Sequence, residues 1–519
     1  MSDLPHKTTF LPFALCASVL LMALLTGGGT HSGFLGDVAT EILSIPLLIV
    51  ALWPVFEGNG ARKEPLRAVL VVCAICTALV FIQLLPLPFD VWAGRRVILE
   101  SGDETRFGDL QHGWSTLSLT PQATWAAAVS LLVPLSVFAS VTQLSGQQRI
   151  TLCWLILAFG ALSLLLGFLQ VAQGTESPLR FYSFTNPTEA VGFFANRNHF
   201  AAFMNVTLIL SGVWLTQTIE VSLRGRVLSA SSFFWLAAAA VFFVAIVAGL
   251  AMARSRAGAF LAILVLAGII MMIFRHNRLD CLQEDFRRQK KTNRVSVAVA
   301  VFAVLFALQV GLGRLLERFD ADPADDLRIP LNVTTFATAL KALPFGTGLG
   351  SFVSVYATAE KSQDATSEYA NRAHDDFAEF FLETGLIGIA LGAAFLLWFG
   401  RILFAVWVKG RLDGLPVDIL LARASSLIII VLLLHSLTDY PLRTTALGAL
   451  FAFFCGILAA PARSTLSEML NLERPSRRKK VAATPIPVEI DDLSWPESWR
   501  HRDAAAETSP DDGATRKHP

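Results

Sequence analysis

The chain is 519 residues long, with 54% hydrophobic and only 16% charged residues, and its mean hydropathy is +0.56. These values exclude a string of soluble domains and put most of the chain in lipid. A formal net charge of +1 excludes a global pull toward nucleic acid, so any electrostatic function must come from where individual charges sit.

Apolar runs of about the length needed to cross ~30 Å of hydrocarbon lie at 10–26, 38–56, 66–88, 124–142, 150–171, 198–217, 232–251, 257–274, 295–312, 377–400, 418–438 and 444–460. The first follows Lys7 as a signal peptide would, but it lacks a clear small-residue cleavage site and reads as a retained anchor. The expected fold is all-α, a polytopic membrane helical bundle of about 12 transmembrane helices. Of the six cysteines, Cys16, Cys73, Cys76, Cys153 and Cys455 fall inside apolar runs, where thiols act as small hydrophobes. The Cys73-x-x-Cys76 spacing within a span is read as packing, and no disulfide framework is implied.

An even number of spans puts both termini on one face. The connections on that face carry Arg62, Lys63, Arg67, Arg149, Arg224, Arg226 and then the run from Arg275 to Arg294, with seven Lys/Arg. By the positive-inside rule this face is cytoplasmic, so residues 89–123 and a long loop over 313–376 are expected in the periplasm. Connections as long as the second are functional or disordered. Within it, LNVTTFATALKAL (331–343) sets Leu331, Thr335, Ala339 and Leu343 at helical spacing, and Pro344 ends the run before the turn-rich FGTGLGSF. Short helices lying across the outer mouth of the bundle are expected. The composition after Pro461 is that of a disordered cytoplasmic tail. Three regions follow: N-terminal helices and first periplasmic loop (1–120), membrane core with the long loop (121–460), and tail (461–519).

The expected outer face carries more arginine than membrane partitioning explains: Arg180, Arg197, Arg254, Arg256, Arg314, Arg318, Arg328, Arg372 and Arg443. A guanidinium matches phosphate oxygens as a bidentate fork, so a pyrophosphate at the membrane surface is one partner. Pairing with Glu317, Asp320, Asp322 or Asp375, or snorkelling to headgroups, is the other reading.

Four polar stretches adjoin the spans. Asn196-Arg197-Asn198-His199 opens the sixth run, either as capping or as a site, and Asn205 extends its polar stripe inward. Arg254-Ser255-Arg256 forms a tight outer turn that holds two cations near the bundle mouth. His374-Asp375-Asp376 ends the long loop, and Asp375, Glu379 and Glu383 at i, i+4, i+8 would carry an acidic stripe into the bilayer. His435 and Asp439, one turn apart, would pair, either to hold a histidine tautomer or to link helices. Two further patterns carry no chemistry: Asp320-x-Asp322 faces the wrong compartment for nucleotide sugars, and Gly346, Gly348 and Gly350 lack the strand a dinucleotide fingerprint requires. No paired Cys/His ligand set requires a metal, and no cofactor is expected.

Taken in order, FFANRNHFAAF, SRAGAFLAIL, LPFGTGLGSF and HDDFAEFFLETGLIG resemble the landmarks of the O-antigen ligase and polysaccharide polymerase family of bacterial inner membranes, over about residues 120–456. SLTPQATWAAAVSLL, before the fourth run, is more similar to exopolysaccharide polymerases than to lipopolysaccharide ligases. The resemblance implies an undecaprenyl-diphosphate-linked glycan donor, a glycan or lipid-linked acceptor, membrane lipids and other polysaccharide assembly proteins as partners, and no nucleic acid. It implies His374 and Arg328 as catalytic residues, with Arg318 in reserve, and Gly385 and Gly388 at the family's spacing. Asn196, Arg197, His199, Arg256, Arg318, Glu383, His435 and Asp439 are the candidate substrate-binding residues.

Such a transfer needs a base for the acceptor hydroxyl and cations for the departing diphosphate. Histidine, with an ordinary pKa of ~6.5, suits the first and fixed guanidiniums the second. One displacement without an enzyme nucleophile inverts the anomeric centre. A transporter of a small anion and a carrier of lipid-linked glycan are the rival classes. A transporter would set its charge at the midplane on broken helices, whereas the polar residues here gather at one mouth.

Overall fold

The computed structural model describes residues 10–30, 34–56, 63–88, 114–224, 230–280, 328–360, 370–409 and 416–459. The helices are α1 (Phe10–Thr26), α2 (Leu35–Phe56), α3 (Lys63–Leu84), α4 (Pro121–Ser130), α5 (Leu132–Val141), α6 (Gly146–Gln173), α7 (Arg197–Arg224), α8 (Ala230–Ala253) and α9 (Arg256–Asp280). They continue as α10 (Arg328–Lys341), α11 (Phe352–Ala359), α12 (Asp376–Phe404), α13 (Pro416–His435) and α14 (Thr445–Ala459). Among the described residues eight helices are long and apolar enough to cross a membrane, and Phe10–Thr26, Ile419–His435 and Thr445–Ala459 are shorter apolar helices. The apolar run at 295–312, Arg318 with its neighbours, most of the basic run after Arg275, and the tail lie outside the described residues. One departure from the all-α expectation is a short antiparallel pair, β1 (Pro86–Pro88) with β2 (Trp114–Thr116), in register Pro86↔Thr116 and Pro88↔Trp114.

Helix α7 is the axis of the bundle: 89% of its span is buried, against 6% for α12, and α6, α8, α9 and α13 pack on it. Its sequence explains this. Asn205, Thr207, Ser211 and Thr216 are buried, and the three hydroxyls turn back to their own helix, Thr207 to Phe203 O at 2.9 Å, Ser211 to Leu208 O at 2.8 Å and Thr216 to Gly212 O at 2.7 Å. Helices that meet helices in lipid can afford such residues, because small polar side chains let backbones approach. Asn205 is a tie of this kind: its amide donates to Ala201 O and, across to α9, to Gly258 O, each at 3.1 Å.

The helix that follows His374 is broken. Gly385 leaves the helical region at φ 58°, ψ −139°, and the chain of FGTGLGSF fills the break. Thr347 N–H donates to Leu382 O and Gly348 N–H to Glu383 O, each at 2.9 Å, while Leu386 N–H is taken by Pro344 O at 2.9 Å. Gln83 of α3 locks the arrangement, donating to Glu383 O and accepting from Leu349 N–H, both at 2.9 Å. The turn-rich stretch is thus a plug for an interrupted helix. The contact demands glycine on both sides, since a Cβ at Gly385 would lie 2.3 Å from Pro344 O and one at Gly346 2.5 Å from the Glu383 carbonyl carbon. Gly385→Ala should therefore cost more than the roughly 1–3 kcal/mol of a left-handed non-glycine residue alone. A thermal midpoint in detergent equal to that of the unmodified protein would contradict this account of the break.

Candidate functional site

His374 lies between the long loop and α12, in a left-handed conformation at φ 54°, which histidine adopts more readily than most residues. Both neighbours are fixed. Ala373 N–H donates to Glu379 Oε2 at 3.0 Å, and Asp375 caps α12 by accepting from Phe377 N–H at 2.9 Å and Ala378 N–H at 3.0 Å. The imidazole Nδ1 sits 2.9 Å from Asp439 Oδ1, with the histidine side chain 26% and the aspartate 1% exposed. Asp439 also accepts from Asn198 Nδ2 at 2.6 Å, from Asn196 Nδ2 at 3.4 Å and from Tyr440 N–H at 3.1 Å.

Burial pushes the Asp439 carboxyl up, but the His374 hydrogen bond and the neighbouring positive charge of Arg328 outweigh it and hold the group well below the usual carboxylate range. An ionised carboxylate only accepts, so Nδ1 carries the proton and Nε2 is left as the basic nitrogen. Tyr440, its pKa pushed up to about 12 by burial and by the Asp439 charge, stays a neutral phenol. Its ring meets the rings of His199 and His374 edge-on at 4.8 and 4.9 Å. Arg328, the first residue of α10, donates to Thr438 O at 3.0 Å.

The expected His435–Asp439 pair does not form through side chains. Only the backbone links them, Asp439 N–H to His435 O at 3.0 Å, because α13 ends at His435 and the chain turns Asp439 toward His374. The acidic stripe is also shifted by one residue. Asp375 is spent as the cap, and Asp376, Glu379 and Glu383 converge on Arg443: Nη1 lies 2.8 Å from Glu383 Oε2 and 3.5 Å from Glu379 Oε1, and Nε lies 3.6 Å from Asp376 Oδ1. Arg372 adds a contact to Glu379 at 2.9 Å. Burial would lower the Arg443 pKa, but these carboxylates raise it above its ordinary value. Glu383 also accepts from Gly350 N–H at 2.9 Å, so its carboxylate is fully engaged by protein.

This second cluster sets the register of the first. Asp376 N–H donates to Ser436 O at 2.9 Å, and Asp376 Oδ2 accepts from Ser436 Oγ at 2.7 Å and Leu442 N–H at 3.1 Å. The segment carrying Asp439 is thereby fastened beside the one carrying His374.

Of the candidate residues, the structure brings together Asn196, His199, Arg328, His374, His435 and Asp439. His199 and His435 are fully buried. Glu383 belongs to the adjoining carboxylate cluster, and Arg197 pairs with Glu189, a partner outside the set expected from sequence. Arg256 is exposed in the first turn of α9. Asn198, Tyr440, Arg372 and Arg443 complete the two clusters. Asn198 and Tyr440 adjoin candidates in sequence, and Arg372 stands two residues before His374, so proximity to a motif was the available signal. Among the described residues no group of three or more His, Cys, Asp or Glu could hold a metal ion.

Helices of this length and apolarity define a multi-pass membrane protein with a buried polar centre at one end of the bundle. Residues 239–393 match the family model for O-antigen ligase, and this match supports the O-antigen ligase and polymerase family, the one that the sequence landmarks resemble. The matched residues include Arg256, Arg328, His374 and Glu383, whereas Asn196, His199, His435 and Asp439 lie outside them. None of the curated proteins matches the chain.

Proposed function

We propose that the chain is a bacterial inner-membrane glycan polymerase or ligase, which transfers an undecaprenyl-diphosphate-linked oligosaccharide to an acceptor hydroxyl on the periplasmic side in exopolysaccharide or O-antigen assembly. The observation that carries the reading is the His374–Asp439 pair, with Nδ1 committed to a buried carboxylate. His374 Nε2 removes the acceptor proton, the acceptor oxygen bonds to the anomeric carbon, and the bond from that carbon to the diphosphate oxygen breaks with its electron pair leaving on the diphosphate. Arg328, beside this pair through Thr438, supplies positive charge toward the leaving group. Asp439 is a positioning residue. The step inverts the anomeric centre and calls on no metal. Both termini are cytoplasmic, from the charge asymmetry of the connections.

Among the described residues, the broken α12 is the feature that favours carriage, since transporters bind their cargo at such breaks. Here the carbonyls of Leu382 and Glu383 and the amide of Leu386 are all satisfied by residues of the plug and by Gln83, which argues against a cargo site there. Purified protein incubated in detergent with lipid-linked repeat units separates the classes. Transfer predicts longer glycan on gels and released lipid diphosphate. Donor that crosses liposome bilayers without gaining length would identify a carrier and overturn the transfer reading.

A further inference from the structure

Helix α10 is amphipathic the wrong way round for a water-covered loop helix. Ile329, Val333, Phe336 and Leu340, spaced i, i+4, i+7, i+11 and therefore on one face, are 51–59% exposed. The buried face is rich in threonine instead: Thr334, Thr335 and Thr338 lie inside with Leu331 and Ala339. Two of these hydroxyls are turned back on the helix, Thr335 to Leu331 O and Thr338 to Thr334 O, each at 2.8 Å, so threonine methyls can pack against the protein.

The exposed stripe continues the surface of a span. Phe336 meets Phe381 of α12 with ring centroids 5.5 Å apart; Phe377, one turn earlier on α12, is 41% exposed, and Leu386 beyond the break is 51% exposed. A face continuous with a largely unburied membrane helix meets the same solvent. The charges agree, for α10 begins with Arg328, ends with Lys341 and contains no acidic residue. A long cationic side chain such as that of Lys341, at the end of an apolar stripe, reaches headgroup phosphates while its stem stays in hydrocarbon, whereas Arg328 at the other end is held on Thr438.

We infer that α10 is an interfacial helix whose Ile329–Leu340 face is sunk in the lipid bilayer, so that the bilayer surface sets the depth of Arg328. The inference rests on the chain residing in a membrane and not on its chemistry, so its failure leaves the transfer reading untouched.

The test uses the full chain in lipid nanodiscs, with native cysteines replaced and a nitroxide attached at Val333→Cys, at Leu340→Cys or, as a headgroup-level control, at Lys341→Cys. The first two positions are exposed, so the label displaces no core. Collisions with dissolved oxygen should exceed those with a water-soluble nickel chelate several-fold at 333 and 340, and the order should reverse at 341. Nickel-dominated collisions at 333 and 340 would show a water-facing helix. Exclusion of both reagents would show a protein cover, and spin–spin broadening a second copy of the chain. Each of these three results overturns the inference.

Discussion

Replacing His374 with glutamine is expected to lower the rate of glycan transfer by on the order of 10²- to 10⁴-fold, the range typical for loss of a general acid–base group. Glutamine can still donate to Asp439 but cannot accept a proton at working pH, so the variant removes the chemistry and spares the hydrogen bond. Membrane abundance, thermal midpoint and donor binding should stay near their normal values, because a base acts on the transition state and does not hold the diphosphate.

Asp439→Asn is the companion variant. It removes the acceptor that fixes the imidazole tautomer, so it should also depress turnover while leaving donor affinity in place. Asp439 is held below the usual carboxylate range, which fixes the sign of its linkage: its contribution to stability is complete above the unfolded aspartate value of ~3.9 and is lost only as pH falls from there toward the folded pKa. A change of rate between about pH 5 and 8 therefore does not come from titration of Asp439. Near-normal turnover by His374→Gln with an unaltered pH profile would make the histidine structural and reopen the search for the base. Asp376 and Glu383 are poor successors, since each carboxylate already accepts hydrogen bonds from protein and faces Arg443.

Much of the architecture is legible because apolar length and polar interruption leave direct marks on a membrane sequence. Most of the described long helices begin and end within a few residues of an apolar run, and the three polar stretches at 196–199, 374–376 and 435–441 meet because each stands at the end of such a run. Pairing between them is not legible. Asp439 chooses His374, 65 residues away, over His435 one turn back, a choice made by where α13 stops. The acidic stripe fails by a single residue for the same reason: with α12 starting at Asp376, Asp375 is a cap, and only the cap geometry reveals it. The break at Gly385 is hidden in an apolar run without proline, and the glycines that fill it read as ordinary turn residues until the two segments are seen in contact. Arg443 is one of nine arginines that the sequence places on the outer face, and nothing local to YPLR announces three carboxylates from another helix.

Arg443→Met is expected to destabilise the protein by about 3–5 kcal/mol, the usual consequence of removing one member of a buried ionic cluster. Asp376, Glu379 and Glu383 are at most 7% exposed, and without Arg443 only Arg372 among the described residues faces them, through Glu379. Asp376 is also the group that fastens Ser436 and Leu442, so the strain falls on the segment that presents Asp439. Loss of stability and loss of turnover should therefore appear together. Arg443→Lys keeps the charge but cannot reach three carboxylates from a planar fork, and should lie between the two. Adding Glu383→Gln to Arg443→Met removes one of the uncompensated charges and should recover part of the lost stability, so that the double variant is more stable than the sum of the single changes. The measurement is the unfolding midpoint of purified protein in detergent, read beside transfer activity. A normal midpoint with activity lost would show that Arg443 acts on the diphosphate and not on the frame. A normal midpoint with normal activity would mean that the carboxylates are neutralised by their own protonation, and that the cluster needs no guanidinium to stand.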